Sequence, residues 1–175
     1  YYGYISANKT GFRSADIDST VLKNAFSIEN LNIYQNINWR ENFGMGWKLT
    51  TGLSYSTNKD DISNELQDAN NQKQVIINPS FFAFKNFKLR NNAQYAQARF
   101  VLDKKLNGLN VVRFGSDYFY SKEKSTYTLF DGSRFAETVT DNLFSVFTEA
   151  DVFITNNLAA KIGGRVEHSQ VVDKW

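Results

Sequence analysis

The 175-residue chain contains no cysteine, one proline (Pro79) and one methionine (Met45). The lack of cysteine excludes a disulfide framework and a cysteine-type zinc site. No run of residues approaches the 18 or more consecutive apolar residues that a membrane-spanning helix needs, and the mean hydropathy is −0.45. An α-helical membrane protein is therefore excluded as well.

The charge is nearly balanced, with 20 basic and 18 acidic residues, and the chain has no block of basic residues. The sequence thus gives no indication of a nucleic-acid partner. Aromatic residues, by contrast, make up 15% of the chain. Aromatic side chains suit the pleated, half-buried surface of a sheet, so the composition favours an all-β protein.

The first of three predicted hairpins spans residues 31–40 and 47–56, where apolar side chains recur at every second residue. Opposed residues in an antiparallel pair have a constant index sum, so a loop with an odd number of residues keeps the two apolar faces together. A three-residue loop, 42–44, meets this condition and pairs Trp39 with Trp47. Two tryptophans at the turn end are typical of an interfacial aromatic girdle.

The second predicted hairpin runs from about Gln94 to Asp103 and from about Asn110 to Tyr120. Asn107-Gly108 suggests a two-residue turn, but that turn would set apolar Leu102 opposite charged Arg113. We therefore expect a three-residue loop or a bulge.

The third predicted hairpin carries the clearest alternation, from Phe144 to Ile154 and from Leu158 to Val166. A loop at 155–157 keeps its apolar residues on one face. The opposite face gathers charges of both signs, at Glu149, Asp151, Lys161, Arg165 and Glu167, together with Ser145.

Polar segments at about 14–27, 59–86 and 121–138 join the hairpins, and they are much longer than the turns within them. Connections of this length are uncommon in compact soluble domains unless they are functional or disordered. Short turns at one end and long loops at the other are typical of outer-membrane β-barrels, with the turns periplasmic and the loops extracellular. With residues 1–8 as a partial first strand, the sequence predicts about seven strands of an antiparallel transmembrane β-barrel fragment.

Because the chain begins at Tyr1 within a predicted strand, we expect it to be a piece of a longer protein. In such a barrel the apolar side chains face lipid and the polar side chains face the lumen. The lipid-facing candidates are Leu31, Ile33, Ile37, Trp39, Trp47, Leu49, Leu53, Tyr55, Phe100, Leu102, Val112, Phe114, Phe144, Val146, Val152, Ile154, Leu158, Ile162 and Val166. The lumen-facing candidates are Arg99, Asp103, Arg113, Asp117, Glu149, Asp151, Lys161, Arg165 and Glu167.

The segment from Asn156 to Trp175 resembles a recurring barrel segment of TonB-dependent outer-membrane receptors, especially those of Bacteroidetes. The matching residues are Lys161, Gly163, Gly164, Arg165, Val166, Glu167 and Trp175. The resemblance implies a 22-stranded barrel in the outer membrane of a Gram-negative bacterium, with a plug in its lumen that receives energy through TonB. Specific matching covers residues 156–175 alone, and this piece contains neither the plug domain nor a TonB box.

The resemblance implies a non-enzymatic receptor that takes up a scarce nutrient by TonB-dependent active transport: a ferric siderophore, vitamin B12, a glycan or a peptide. As partners it implies outer-membrane lipid, the rest of the barrel and plug, and TonB. It leaves a surface lipoprotein open as a further partner and implies no cofactor. The lumen-facing candidates then become candidates for plug contacts, and the alternative is a cross-strand ladder of wall charges that satisfy one another.

Two other classes of protein stay open. A plugless porin or structural barrel has the same wall, and sequence upstream of Tyr1 distinguishes it because only the receptor needs a plug and a TonB box. A soluble all-β binding module turns its apolar faces inward, and partition into detergent distinguishes it. If the membrane orientation is right, Val152→Arg impairs assembly by about 2–4 kcal/mol near the midplane, whereas Ser145→Arg is tolerated much better.

Several residues suggest other chemistry but are better explained structurally. His168 is the single histidine, and we expect a structural or interfacial role for it. Gly44-Met45-Gly46 is expected to form a turn, not a phosphate loop. The acidic residues Asp16, Asp18, Asp60, Asp61 and Asp68 lack EF-hand spacing and are interpreted as solvated loop charges. The aromatic stretch Phe81, Phe82, Phe84 and Phe87 is interpreted as a strand extending beyond the bilayer.

Overall fold

The computed structural model describes residues 1–155 and 157–172, which form one antiparallel sheet of seven strands. The strands are β1 (Tyr2–Ala15), β2 (Lys23–Gly44), β3 (Trp47–Gln67), β4 (Phe87–Lys105), β5 (Val111–Thr128), β6 (Arg134–Thr155) and β7 (Leu158–Ser169). A four-residue helix, α1 (Phe81–Phe84), precedes β4. The strands lie in chain order, so the all-β antiparallel prediction is confirmed, and the sheet stays open with β1 and β7 at its edges.

The helical part of the described chain contains no segment long and apolar enough to cross a membrane.

The strand register sorts the side chains onto two faces. Ile37 lies opposite Leu53, Leu102 opposite Phe114, and Val146 opposite Val166. Because side chains alternate along a strand, these pairings place every predicted lipid-facing residue on one face and every predicted lumen-facing residue on the other. We call these the apolar face and the polar face. The register thus agrees with the predicted alternation, and which face meets lipid and which meets the lumen stays a prediction.

The predicted pairing of Trp39 with Trp47 is wrong. Trp39 lies opposite Thr51, and Trp47 pairs with Gly44, because β2 continues to Gly44 before the chain turns. Three consecutive residues have positive φ there, 81° at Gly44, 47° at Met45 and 80° at Gly46. Glycine adopts this conformation without strain, so the turn forms at 44–46 as its composition indicates and not at 42–44.

The other two turns follow the predicted faces. In the second hairpin the loop contains residues 106–110, so it is longer than three residues but still keeps an even index sum. In the third hairpin Val152 pairs with Ala160 as expected, and the register shifts between Phe153 and Thr155. Asn156, in the predicted loop, lies outside the described residues.

The predicted long loops are wrong in extent, because much of each polar segment is strand. The connections opposite the short turns contain residues 16–22, 68–86 and 129–133. The strand pairing continues through polar sequence: Asn30 donates hydrogen bonds to Asn58 at 2.7 Å and to Asp60 at 2.5 Å. Backbone pairing does not require apolar side chains, so the end of the apolar alternation did not mark the end of the strands.

The segment after Pro79 also departs from its prediction. Phe81, Phe82 and Phe84 lie in α1, and only Phe87 begins a strand. The buried side chain of Asn86 joins this segment to the sheet, since it accepts a hydrogen bond from the backbone N–H of Leu66 at 3.0 Å and donates one to the carbonyl of Gln74 at 2.9 Å. These bonds satisfy backbone groups at the top of β3 and fix the long connection against it.

Exposure is distributed unusually between the two faces. On the apolar face, Ile37 is 54% exposed, Leu53 59% and Ile162 68%. On the polar face, Asp117 is 6% exposed and Ser145 is fully buried. Within the described residues, no second layer of structure covers the apolar face. The polar face, by contrast, contains closely packed, buried side chains.

Candidate functional site

The polar face of β3–β7 carries a network of ion pairs near the short turns. Arg113 on β5 is its centre: its Nε lies 2.7 Å from Asp103 on β4, and one terminal nitrogen lies 3.1 Å from Glu149 on β6. Lys161 on β7 lies 2.9 Å from Glu149, and Lys48 on β3 lies 3.9 Å from Asp103. Opposite charges thus alternate across five neighbouring strands, an arrangement that stabilises cross-strand pairing.

A second group of charges lies farther from the turns, around Asp117 on β5. Arg165 on β7 donates a hydrogen bond to Asp117 at 2.9 Å, and Arg99 on β4 lies 3.6 Å from it. Arg165 also pairs with Glu167 on its own strand. Because Asp117 is 6% exposed, its charge depends on these two guanidinium groups for compensation.

The ring of Phe147 on β6 lies between the two arginines. The guanidinium carbon of Arg99 is 5.6 Å from the ring centroid, and that of Arg165 is 5.8 Å from it. Both distances fit cation–π contacts. The ring also rests directly on Gly115 of β5, where an added Cβ would lie 2.2 Å from Cζ of Phe147. Glycine is therefore required at 115 because the ring occupies the space of a side chain.

Two buried oxygens on the polar face lack hydrogen-bond partners among the described residues, Oδ1 of Asp117 and Oγ of Ser145. The register makes Asp117 and Ser145 direct cross-strand neighbours. Ser145 has no exposed surface, so an arginine at this position has no space. Ser145→Arg should therefore not be tolerated at this position, whichever solvent the polar face meets.

Eight of the nine predicted lumen-facing residues belong to these two ionic groups, which together we call the polar-face network. It contains Arg99, Asp103, Arg113, Asp117, Glu149, Lys161, Arg165 and Glu167. Asp151 shares the face and lies opposite Lys161, but it has no ion pair within the described part of the chain. The geometry matches the ladder of mutually satisfied wall charges, and the plug contacts stay a prediction.

On the apolar face, the large apolar residues form a band at the short-turn end of the strands. It runs from Trp47 to Tyr55 on β3 and from Val112 to Tyr120 on β5, with matching segments on the neighbouring strands. Trp47 lies at the turn border, where Lys104 stacks 4.7 Å from its ring. Tyr55 and Tyr120 lie at the opposite border. We call this surface the apolar band.

A buried charge cluster between two connections was not predicted. Lys85 pairs with Asp16 at 2.6 Å and with Asp18 at 2.7 Å, and Asn24 donates a hydrogen bond to Asp16 at 2.7 Å. The interpretation of Asp16 as a solvated loop charge is wrong, because it is 6% exposed. No sequence signal identifies this contact, which joins residues 69 positions apart.

The cluster sets the charge state of its members. Burial raises the pKa of Asp16, but hydrogen bonds from Lys85 and from the Asp18 backbone outweigh that effect and bring the pKa below 3.8. Burial lowers the pKa of Lys85, and its two carboxylate partners raise it above 10.5. Both groups are therefore charged at neutral pH.

In residues 1–155 and 157–172, no group of three or more histidine, cysteine, aspartate or glutamate residues is arranged to hold a metal ion.

No protein-family model matches this chain, and no curated protein is significantly similar to it in sequence.

Proposed function

We propose that this sheet is part of the wall of an outer-membrane β-barrel in a Gram-negative bacterium. The apolar face contacts lipid, and the polar face lines the lumen. The observation that carries the proposal is the apolar band: large apolar side chains lie exposed on one face of a single-layer sheet, next to a packed and charged opposite face. A soluble sandwich requires a second layer on that apolar face.

The length of the band fits a bilayer. On β5 it contains nine residues, from Val112 to Tyr120. A tilted transmembrane strand needs about 9–11 residues. Aromatic residues border the band on both sides, as in the girdles of outer-membrane barrels. The strands themselves are 18 to 22 residues long from β2 to β6, so about half of each strand extends beyond the lipid.

The edges of the sheet support a larger barrel. β1 and β7 each have one paired side, and their outer sides present unpaired backbone groups. Such groups in lipid cost several kcal/mol each unless another strand pairs with them. The proposed wall therefore needs further strands of the same barrel at both edges.

Within this class we propose a TonB-dependent receptor that imports a scarce nutrient. The proposal rests on the resemblance of residues 161–167, which lie in β7, and Trp175 of that resemblance lies outside the described residues. The polar-face network then forms the lumenal wall against which a plug packs. The wall has no catalytic role: it holds the plug and carries the extracellular connections that contact the nutrient.

The test is to recover the full-length protein that contains this chain from fractionated cells. We expect it in the outer membrane, with a plug domain and a TonB box encoded upstream of Tyr1. Recovery in the outer membrane without these parts would replace the receptor by a plugless barrel. Recovery in the aqueous fraction without detergent would overturn the membrane proposal itself.

A further inference from the structure

Beyond the apolar band, the apolar face changes its chemistry. The strands continue past Tyr55 and Tyr120, and basic residues replace apolar ones on three neighbouring strands. We call these residues the basic patch: Lys59 on β3, Lys88 and Arg90 on β4, and Lys122 and Lys124 on β5. The register places Asn92 between Lys59 and Lys124 in one cross-strand row. The patch is therefore continuous across the three strands.

Acidic residues compensate only part of this charge. Asp61 lies 2.8 Å from Arg90 and 3.3 Å from Lys88. Lys59, Lys122 and Lys124 have no acidic group within 4.0 Å among residues 1–155 and 157–172. The patch therefore keeps a local excess of positive charge, although the whole chain is nearly neutral.

At the same height, two further acidic residues lie on the polar face, whereas Asp61 and Glu29 share the apolar face with the patch. Lys122, Glu123 and Lys124 follow one another on β5, so the two lysines share one face and the glutamate lies on the other. Glu123 accepts a hydrogen bond from the Tyr95 hydroxyl at 2.6 Å. Asp60, next to Lys59, likewise accepts hydrogen bonds on the polar face.

The patch adjoins the proposed lipid boundary. Lys122 lies two residues beyond Tyr120, which is about 7 Å along the strand. A lysine there keeps its aliphatic stem near the apolar band while its ammonium group reaches the level of lipid headgroups. We propose that the basic patch binds the phosphate groups of a phosphorylated lipid in the outer leaflet, whose acyl chains lie against the apolar band. This inference rests on the proposed function.

Charge complementarity and position together favour this ligand. Lysine binds phosphate as a flexible point charge, and Arg90 adds a planar donor group at the far side of the patch. A soluble phosphate compound would use only the charges. A lipid uses the patch and the apolar band at once, which explains why the basic residues lie directly beyond that band.

The experiment uses the full-length protein in detergent, titrated with bis-phosphorylated lipid A, with fully dephosphorylated lipid A and with inorganic pyrophosphate. Bound molecules are counted by native mass spectrometry. The test variant is Lys122→Gln with Lys124→Gln, and the matched control is Lys104→Gln with Lys105→Gln, which removes the same charge at the short-turn end. We expect the test variant to bind the bis-phosphorylated lipid about thirtyfold more weakly, since each of the two basic residues near an anionic surface contributes about 1 kcal/mol, a factor of about five. The control should bind it like the wild type.

Three results would overturn the inference. The first is an equal loss of affinity in the two double variants. The second is binding of the dephosphorylated lipid as tightly as the phosphorylated one. The third is binding of pyrophosphate as tightly as the lipid, which would assign the patch to a soluble ligand. Failure of the proposed function is distinguishable, because the protein would then be absent from the outer membrane before any titration. A membrane-inserted protein whose test variant binds lipid normally refutes only the lipid site.

Discussion

The two faces of this sheet share one backbone but differ in what their side chains contact. On the polar face, side chains contact one another: Arg113, Asp117 and Phe147 are each held by residues from neighbouring strands. On the apolar face, large side chains such as Leu53 project without a cover. Among the described residues, the side chains of the polar face largely satisfy one another, whereas the large side chains of the apolar face have no cover. In the proposed barrel, lipid supplies that cover.

The largest predicted effect comes from placing the same charge on each face. Leu53 and Ser54 are neighbours on β3 near the middle of the apolar band, and they point to opposite faces. Leu53→Arg should impair assembly into lipid vesicles, with a loss of about 2–4 kcal/mol in the free energy of unfolding. Urea titration of the full-length protein in vesicles measures this loss.

Ser54→Arg is the matched control for that variant. Ser54 borders an open part of the polar face lined by Asn36, Gly52 and Gln97, so an arginine has space and polar surroundings there. We expect assembly close to that of the wild type. Equal losses for Leu53→Arg and Ser54→Arg would mean that the two faces do not meet different solvents.

The next effect tests the buried charge of the polar face. Asp117→Asn leaves Arg99 and Arg165 without their shared carboxylate, and we expect a loss of about 1–3 kcal/mol in unfolding free energy. Glu167→Gln removes an exposed partner of Arg165 and should cost less than about 1 kcal/mol. A larger loss for Glu167→Gln, measured by the same titration, would show that the charge network does not depend on Asp117.

A third comparison uses glycines on opposite faces. Gly115→Ala forces the ring of Phe147 away from β5 and should destabilise the sheet by about 1–3 kcal/mol. Gly164→Ala, on the apolar face, meets no atom within 4 Å and should change stability by less than about 0.5 kcal/mol. If both alanines were tolerated equally, Phe147 would not rest on Gly115 as described.

The smallest effect concerns pH and the connections outside the apolar band. The pKa of Asp16 is depressed in the folded protein, so its contribution is fully present above 3.8 and is lost as the pH falls through the lower folded value. We expect residues 16–22 and 79–86 to lose protection against amide hydrogen exchange below pH 3.8, measured relative to the intrinsic exchange rate at each pH, with a change on the order of 1 kcal/mol in opening free energy. Asp16→Asn should show the lower protection already at neutral pH. Exchange that is independent of both changes would contradict the role of the Lys85 cluster.

The sequence predicted the part of the fold that depends on alternation. It placed residues such as Val112, Phe114 and Ile162 on one face, because a period of two is visible wherever one face is apolar. It did not predict the outer halves of the strands, where the two faces no longer differ in the same way: Ile62 and Leu89 lie opposite each other on the polar face, and basic residues occupy the apolar face. It also paired Trp39 with Trp47, four residues away from its actual partner Thr51, since the turn is set by the conformation of three residues and not by apolar pairing.

The candidate site was also predictable only in part. Alternation placed eight charged residues on one face, and neighbouring strands then brought them within reach of one another. The packing of Phe147 over Gly115 was not predictable, because the two residues lie directly opposite each other but only the side-chain conformation of Phe147 brings its ring over the glycine. The ion pair between Asp16 and Lys85 was not predictable either, since it depends on the path of the connection between β3 and β4.

The most direct test of the membrane orientation uses the absence of cysteine from the chain. Cysteine is substituted at one position at a time from Val112 to Lys124 on β5 of the full-length protein in lipid vesicles, and each variant is spin-labelled. Collisions with oxygen report lipid, and collisions with a water-soluble nickel chelate report water. We expect lipid contact at even positions from 112 to 120 and water contact at 122 and 124. Water contact at all even positions, or lipid contact at the odd ones, would contradict the proposed orientation of the sheet.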